Sequence, residues 1–252
     1  MKLRHIIATL TICFFLTGCI TFLQSLMPKV TPEQTAIIMA MAENVKFKKP
    51  KTIRKSKTEK MRLKKGQWVT TLSKSKAGDM DVALTTTKII SVQGRTVVLE
   101  IEKYSAAQNG ECTISQITIE NYPVKGQLSY SNAEYNSFIN NMRITKLISK
   151  KGNGPAQETP PQMLSMMQGM TKGVVGNAIR VGEMRKSSCA TEYLKSGRCY
   201  EFDFSASALG ITVRGVVTAN GSIPVNGMVK SDTNQMIEET IAFGYKGAKS
   251  KL

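Results

Sequence analysis

The sequence predicts an α+β fold dominated by strands: a strongly curved antiparallel sheet with two or three short helices packed on its concave face. Three observations lead there. From residue 66 onward, short segments alternate apolar and polar side chains, the period of strands with one wet face. Clusters of Gly, Asn, Asp and Ser punctuate those segments at short intervals, as turns between antiparallel neighbours require. Helical start signals occur at only three places, so the helices are too few to form a layer of their own. The sheet must therefore bend around them to bury a face.

In chain order, "MKLR" places Lys2 and Arg4 ahead of an apolar run from Ile6 to Leu16, the pattern of a secretory leader. That run is too short to span a bilayer, which takes roughly 20 apolar residues. Leu16-Thr17-Gly18-Cys19 then resembles the lipobox of bacterial lipoproteins. The resemblance implies cleavage before Cys19 and attachment of acyl chains to it; the alternative is a plain leader with an incidental cysteine. It also implies that Ile20, where an aspartate would retain the protein, sends it to the outer membrane, facing the periplasm. The expected organisation is a lipoprotein signal peptide over 1–18, a lipid-anchored tether over 19–65, and a β-rich domain over 66–252.

Within the tether, "TPEQTAIIMAMAEN" (31–44) reads as a helix, with Thr31 and Gln34 in capping-box spacing and Pro32 at the first helical position. A polybasic stretch follows. The precursor carries +17, which becomes +15 once Lys2 and Arg4 leave. Between Lys46 and Lys65 the only acid is Glu59. Such a run fits anionic phospholipid, through Lys46, Lys48, Lys49, Lys51, Arg54 and Lys55, or a solvated, self-repelling linker. Export rules out nucleic acid as its partner.

The domain opens with "QWVTTLS". "VALTTTKIISV" and "TVVLEIEKY" flank Gln93-Gly94-Arg95 as a hairpin, with Val97, Leu99 and Ile101 on an apolar face and Glu100 and Glu102 on a wet one. "ISQITIE", "MRITKLIS", "AIRVGEM", "RCYEFDFSA", "ITVRGVVTA", "SIPVNGMVKS" and "MIEETIAFG" complete about nine or ten strands. Asn220-Gly221 is the strongest tight-hairpin signal. Two helices interrupt: "SNAEYNSFINN", with Ser131 and Glu134 in capping-box spacing, and "TPPQMLSMMQGMTKG", where Thr159 and Gln162 repeat the arrangement with a proline after the cap.

Candidate sites are few. The only histidine, His5, lies in the leader, which removes His-assisted nucleophiles and His-containing zinc sites from the mature chain. No phosphate loop, nucleophile elbow or CxxC is present. No enzyme activity, cofactor or metal is expected. Asp79 and Asp81 read as a solvated turn, while Glu201, Asp203, Glu238 and Glu239 read as wet strand residues. Cys189 and Cys199 would close a short disulfide loop if residues 190–198 form a loop. A tight turn at Lys195-Ser196-Gly197 would instead set Cys189 opposite Asp203, beyond bridging distance. Met163, Met166, Met167 and Met170 recur at helical spacing as core packing, an apolar cleft, or a thioether copper cluster.

"GQWVTTL", "KIISVQGRTVVLEIE", "IPVNGMVKSD" and "IEETIAFGY" resemble a loosely defined family of uncharacterised bacterial exported lipoproteins. A more distant likeness is to the half-barrel carriers of lipids and lipoproteins in the periplasm. The resemblance implies a lipid-anchored, non-enzymatic envelope protein that binds an apolar or amphipathic ligand or an envelope partner. A structural or adhesive lipoprotein without a ligand cavity is the alternative.

Overall fold

The computed structural model describes residues 30–53, 60–76, 81–127, 132–208 and 211–252. The leader, Cys19, Arg54, Lys55 and Asp79 lie outside those residues.

Among the described residues, thirteen strands join one sheet. Its ordered path is β1 (Lys51–Thr52), β12 (Leu194–Ala208), β13 (Ile211–Ala219), β14 (Met228–Thr233), β15 (Met236–Gly244), β3 (Trp68–Ser75), β4 (Val82–Gln93), β5 (Thr96–Ser105), β6 (Cys112–Glu120), β8 (Arg143–Lys151) and β9 (Gln157–Glu158). Strands β10 (Ile179–Val181) and β11 (Arg185–Ala190) also pair with β12, and β2 (Lys60–Arg62) pairs apart with β7 (Lys125–Gln127). Except for β1, which runs parallel to β12, the pairs of the large sheet are antiparallel.

The sheet is curved because its chemistry interrupts flat pairing. Register shifts fall at Ile89/Ser91, Thr118/Ile119, Thr218/Ala219 and Thr240/Ala242, and each extra residue bends its strand. Gly215 allows a closer approach still: a Cβ there would meet the Asp232 carbonyl oxygen at 2.2 Å. Helix α3 (Pro161–Ala178), following α1 (Pro32–Val45) and α2 (Asn132–Asn141), touches both β8 and β12. Laid flat, those strands would stand about 38 Å apart at ~4.8 Å per interval, whereas α3 is about 27 Å long at 1.5 Å per residue. The sheet therefore curls around the helices.

Register assigns the faces. Ile89, Leu99, Ile117 and Leu147 form one inward row, and all four are buried. Lys88, Glu100 and Gln116 form an outward row beside it.

Several local expectations change. Helix α1 and the residues up to Ile53 belong to the packed body and do not stand off as a tether. Ile38, Ala42 and Ile53 are buried, the Phe47 amide donates to the Ile241 carbonyl, and β1 pairs with β12. An amphipathic helix that close to a sheet gains more by burying its apolar face than by staying solvated. The Asn220-Gly221 hairpin is instead a longer loop, since β13 ends at Ala219 and β14 begins at Met228. Ile223 and Val225 are buried in it, and Pro224 has no amide to give a ladder. Strand β12 starts at Leu194, so the turn lies before Lys195-Ser196-Gly197.

Candidate functional site

The inner face changes character along the strands. Its first row is aliphatic. The next joins Phe243, Val69, Thr87, Ile101 and Ser115. Beyond it come Thr240, Thr71, Thr85, Lys103 and Thr113, and then Ser231, Glu238, Ser73 and Ala83. The concave surface is thus apolar toward one rim and hydroxyl- and charge-bearing toward the other. At the polar end, Glu238 keeps some surface open to water yet sits deep among protein atoms. Burial pushes its carboxyl above the usual range, against the Thr71 hydroxyl and the Lys103 ammonium, which both favour the charged form. The expectation of a wet strand residue fails there, because the curl of the sheet encloses it.

Helix α1 touches β4 and β15, whereas α3 reaches the sheet at β8 and β12. Leu164 is buried and Met167 packs partly buried against the core. Gln168 Nε2 donates to the Met142 carbonyl at 3.0 Å. Met163 and Met166 are 50% and 59% exposed, so these two are not core. The buried stripe runs through Leu164, Met167 and Gln168, turned off the methionine stripe, because Met163 and Met166 flank that arc. The Met170 side chain lies outside the described ones. Thr159 does not cap the helix: its amide donates to the Leu147 carbonyl, and Pro160 accepts from the Leu164 amide in its place.

The basic segment is divided between partners and solvent. Lys46 pairs with Glu43 and Glu192, at 2.7 and 3.4 Å. Lys51 sits over the rings of Phe47 and Phe243, at 4.7 and 4.4 Å from their centres. Lys48 and Lys49 are exposed. Cys189 and Cys199 form a disulfide with Cα atoms 5.8 Å apart. A register shift between Ser187 and Cys189 sets Cys189 beside Ser196 and Ser187 beside Cys199, which brings the two cysteines together. Next to this hairpin lies a cavity of about 280 Å³ lined by Thr191, Glu201, Thr218, Lys230 and Asp232 among others. Lys230 is already shared between Asp232 and Glu239, at 3.3 and 3.8 Å. At the tip of the hairpin, burial and then the neighbouring Glu192 push the Tyr193 phenol up to about 12.

The outer face holds the feature that the alternation of β5 hid. Glu100 and Glu102, expected in water, are buried with Lys88. Residues 246–252 cross over them. The Lys251 amide donates to both Glu100 oxygens (3.0 and 3.2 Å), the Ser250 hydroxyl to Oε2 (2.5 Å), and Lys251 Nζ to Glu102 (2.7 Å). Lys88 Nζ lies against both carboxylates and donates to the Lys249 carbonyl. Burial pushes Glu100 up, but the Ser250 hydroxyl, the Lys251 amide and Lys88 outweigh it and hold the carboxyl below its ordinary value. Burial lowers Lys88 despite the opposing pull of Glu100, and the nearby Lys251 charge adds to the lowering. The sequence signal was faint: Lys88, Glu100 and Glu102 come into line only through strand pairing, and the covering residues are about 150 positions away.

Among the described residues no group of three or more Cys, His, Asp or Glu side chains could hold a metal ion. No described helix is long and apolar enough to cross a membrane, which says nothing of β-barrels. The class that fold and site define is a curled antiparallel sheet with helices laid over an amphipathic inner face. No family model and no curated protein matches the chain. A crystal structure from Bacteroides fragilis, described as an exported protein with a YmcC-like fold, is similar at 11% identity with a TM-score of 0.34. It covers 73% of this chain and 98% of its own. A likeness at that level carries no argument about function.

Proposed function

We propose that the chain is an exported, non-enzymatic lipoprotein, anchored through Cys19 to the outer membrane and facing the periplasm, that binds an amphipathic ligand against the inner face of its sheet. The observation that supports this reading is the polarity gradient of that face, which pairs an aliphatic wall around Leu99 and Ile117 with a polar end at Thr71, Thr85, Lys103 and Glu238. Such a surface suits a molecule with an acyl body and a polar head. Helix α3 bridges β8 and β12 and follows a turn with Gly152 at φ +51, and Leu164 is its one buried side chain among those described. The leader pattern and the Cys189–Cys199 disulfide support an oxidising, extracytoplasmic setting. The exposed pair Met163 and Met166 favours a second reading, in which α3 presents an apolar patch to an envelope partner.

Native mass spectrometry of the protein extracted from its own membranes tests the first reading. The expected result is a retained amphipathic molecule, displaced by a fluorescent fatty acid and lost in Met167→Asp. A ligand-free mass together with no probe binding would sink the carrier reading and leave a structural lipoprotein.

A further inference from the structure

We infer that the rim of the sheet around Gly94 is a docking surface for anionic phospholipid headgroups, an inference that rests on the reading of the chain as a membrane-anchored exported protein. Six cations gather there: Arg62, Lys64 and Lys65 before β3, Arg95 in the β4–β5 turn, Arg143 at the start of β8, and Lys246 just past β15. They are scattered in sequence, and backbone contacts draw them to one end of the molecule. Arg95 donates to the Asn121 carbonyl, and the Asn121 side chain to that of Asn141, two residues before Arg143. The Leu63 amide donates to the Val124 carbonyl, and the Ala248 amide to that of Gly66, which seats Lys246 beside Lys64 and Lys65.

All six are exposed, and none is ion-paired to a carboxylate among the described residues. Glu120, paired in register with Arg143, is the acid that strand pairing sets among them. The opposite rim differs. There Lys76 is paired to Asp232 at 2.7 Å, and Lys151 to Glu111 at 3.2 Å. One rim cancels part of its charge internally; the other carries like charges that repel one another until a polyanion meets them. The cations span the ends of β15, β3, β4, β5, β6 and β8, roughly 24 Å at ~4.8 Å per interval. That is too wide for one small anion and suits an array of headgroups.

Chain length allows the contact. Gln34, near the start of α1, contacts Asn109 at the opposite rim. Cys19 and Val30 are separated by no more than about 40 Å of extended chain, and the two rims by about 30 Å along β5. The basic rim can therefore reach the bilayer that holds Cys19.

The test uses the mature-length chain carrying Cys19→Ser, which binds no acyl group, mixed with phosphatidylcholine vesicles with or without phosphatidylglycerol. Binding should require phosphatidylglycerol and collapse with salt, because exposed charges are screened within about 8 Å at physiological ionic strength. Replacing Arg95, Arg143 and Lys246 by Glu should weaken it at least about 100-fold, at roughly fivefold per residue. The same reversal at Lys74, Lys150 and Arg214 on the opposite rim should cost less than about tenfold. Should the triple variant fail to fold, Arg95→Gln and Lys246→Gln alone should each cost about fivefold. Equal losses from both rims, binding without phosphatidylglycerol, or no binding at low salt would overturn the proposal. Fatty-acid labelling of the wild type reads the anchor separately, so a failed anchor and a failed rim are distinguishable.

Discussion

Helices α1 and α3 share the opening Thr-Pro-x-Gln and part company at the first hydrogen bond. In α1, Thr31 and Gln34 complete the capping box, each side chain meeting the other's backbone amide. In α3 the equivalent Thr159 gives its amide to Leu147 on β8, and the helix begins one residue later. Strand β9 ends at Glu158, and the ladder claims the next amide before the helix can use it. Burial diverges as well: α1 is sealed through Ile38 and Ala42, whereas α3 leaves Met163 and Met166 half or more in water. A local motif offers a hydrogen bond, and the nearest competing acceptor decides whether it forms.

If α1 and the residue 246–252 segment are sealed while α3 is only laid on, substitutions should rank accordingly. The largest loss should come from Glu100→Ala, about 3–5 kcal/mol by chemical denaturation, since Lys88, the Ser250 hydroxyl and the Lys251 amide would all lose one shared buried acceptor. The acid limb carries the same message. Glu100 is held below its ordinary value, so its contribution is complete above the usual carboxylate pKa and disappears as pH falls through and below it. Glu238, raised by burial, acts in the opposite sense and favours the folded state as pH falls. Stability measured against pH should therefore fall more shallowly on the acid side in Glu100→Gln and more steeply in Glu238→Gln.

Ile38→Ala should cost about 2–5 kcal/mol, because the site is closed and relaxes only partly. Thr31→Ala should cost about 1 kcal/mol as a lost cap, and Thr159→Ala should cost much less, since only its backbone amide is engaged in the ladder. Smallest of all, Met163→Ala and Met166→Ala should stay within about 0.5 kcal/mol of wild type in thermal melts. Losses of core size at either methionine would erase the distinction between the helices.

The strands were largely legible because alternation is local: β3, β5, β6, β8, β13 and β15 fall where the apolar period places them. The α1 capping box was legible for the same reason. What stayed hidden depended on distant partners. Glu100 and Glu102 look wet until residues 249–251 cover them. Glu238 looks like a solvated strand residue until the sheet curls around it. Lys46 and Lys51 read as free cations until Glu192 and Phe243 arrive from more than 140 residues away. The methionine stripe was real as a spacing but marked the flank of α3, because periodicity finds a face and not the direction in which it points.

Amide hydrogen exchange followed by mass spectrometry, with and without a fluorescent fatty acid, reads directly whether α3 is loosely seated and responds to an amphipathic ligand. The α3 amides should exchange far faster than those of α1, and the fatty acid should slow α3, β8 and β12 while leaving α1 unchanged. Equal protection of the two helices, with no response to the fatty acid, would contradict both expectations.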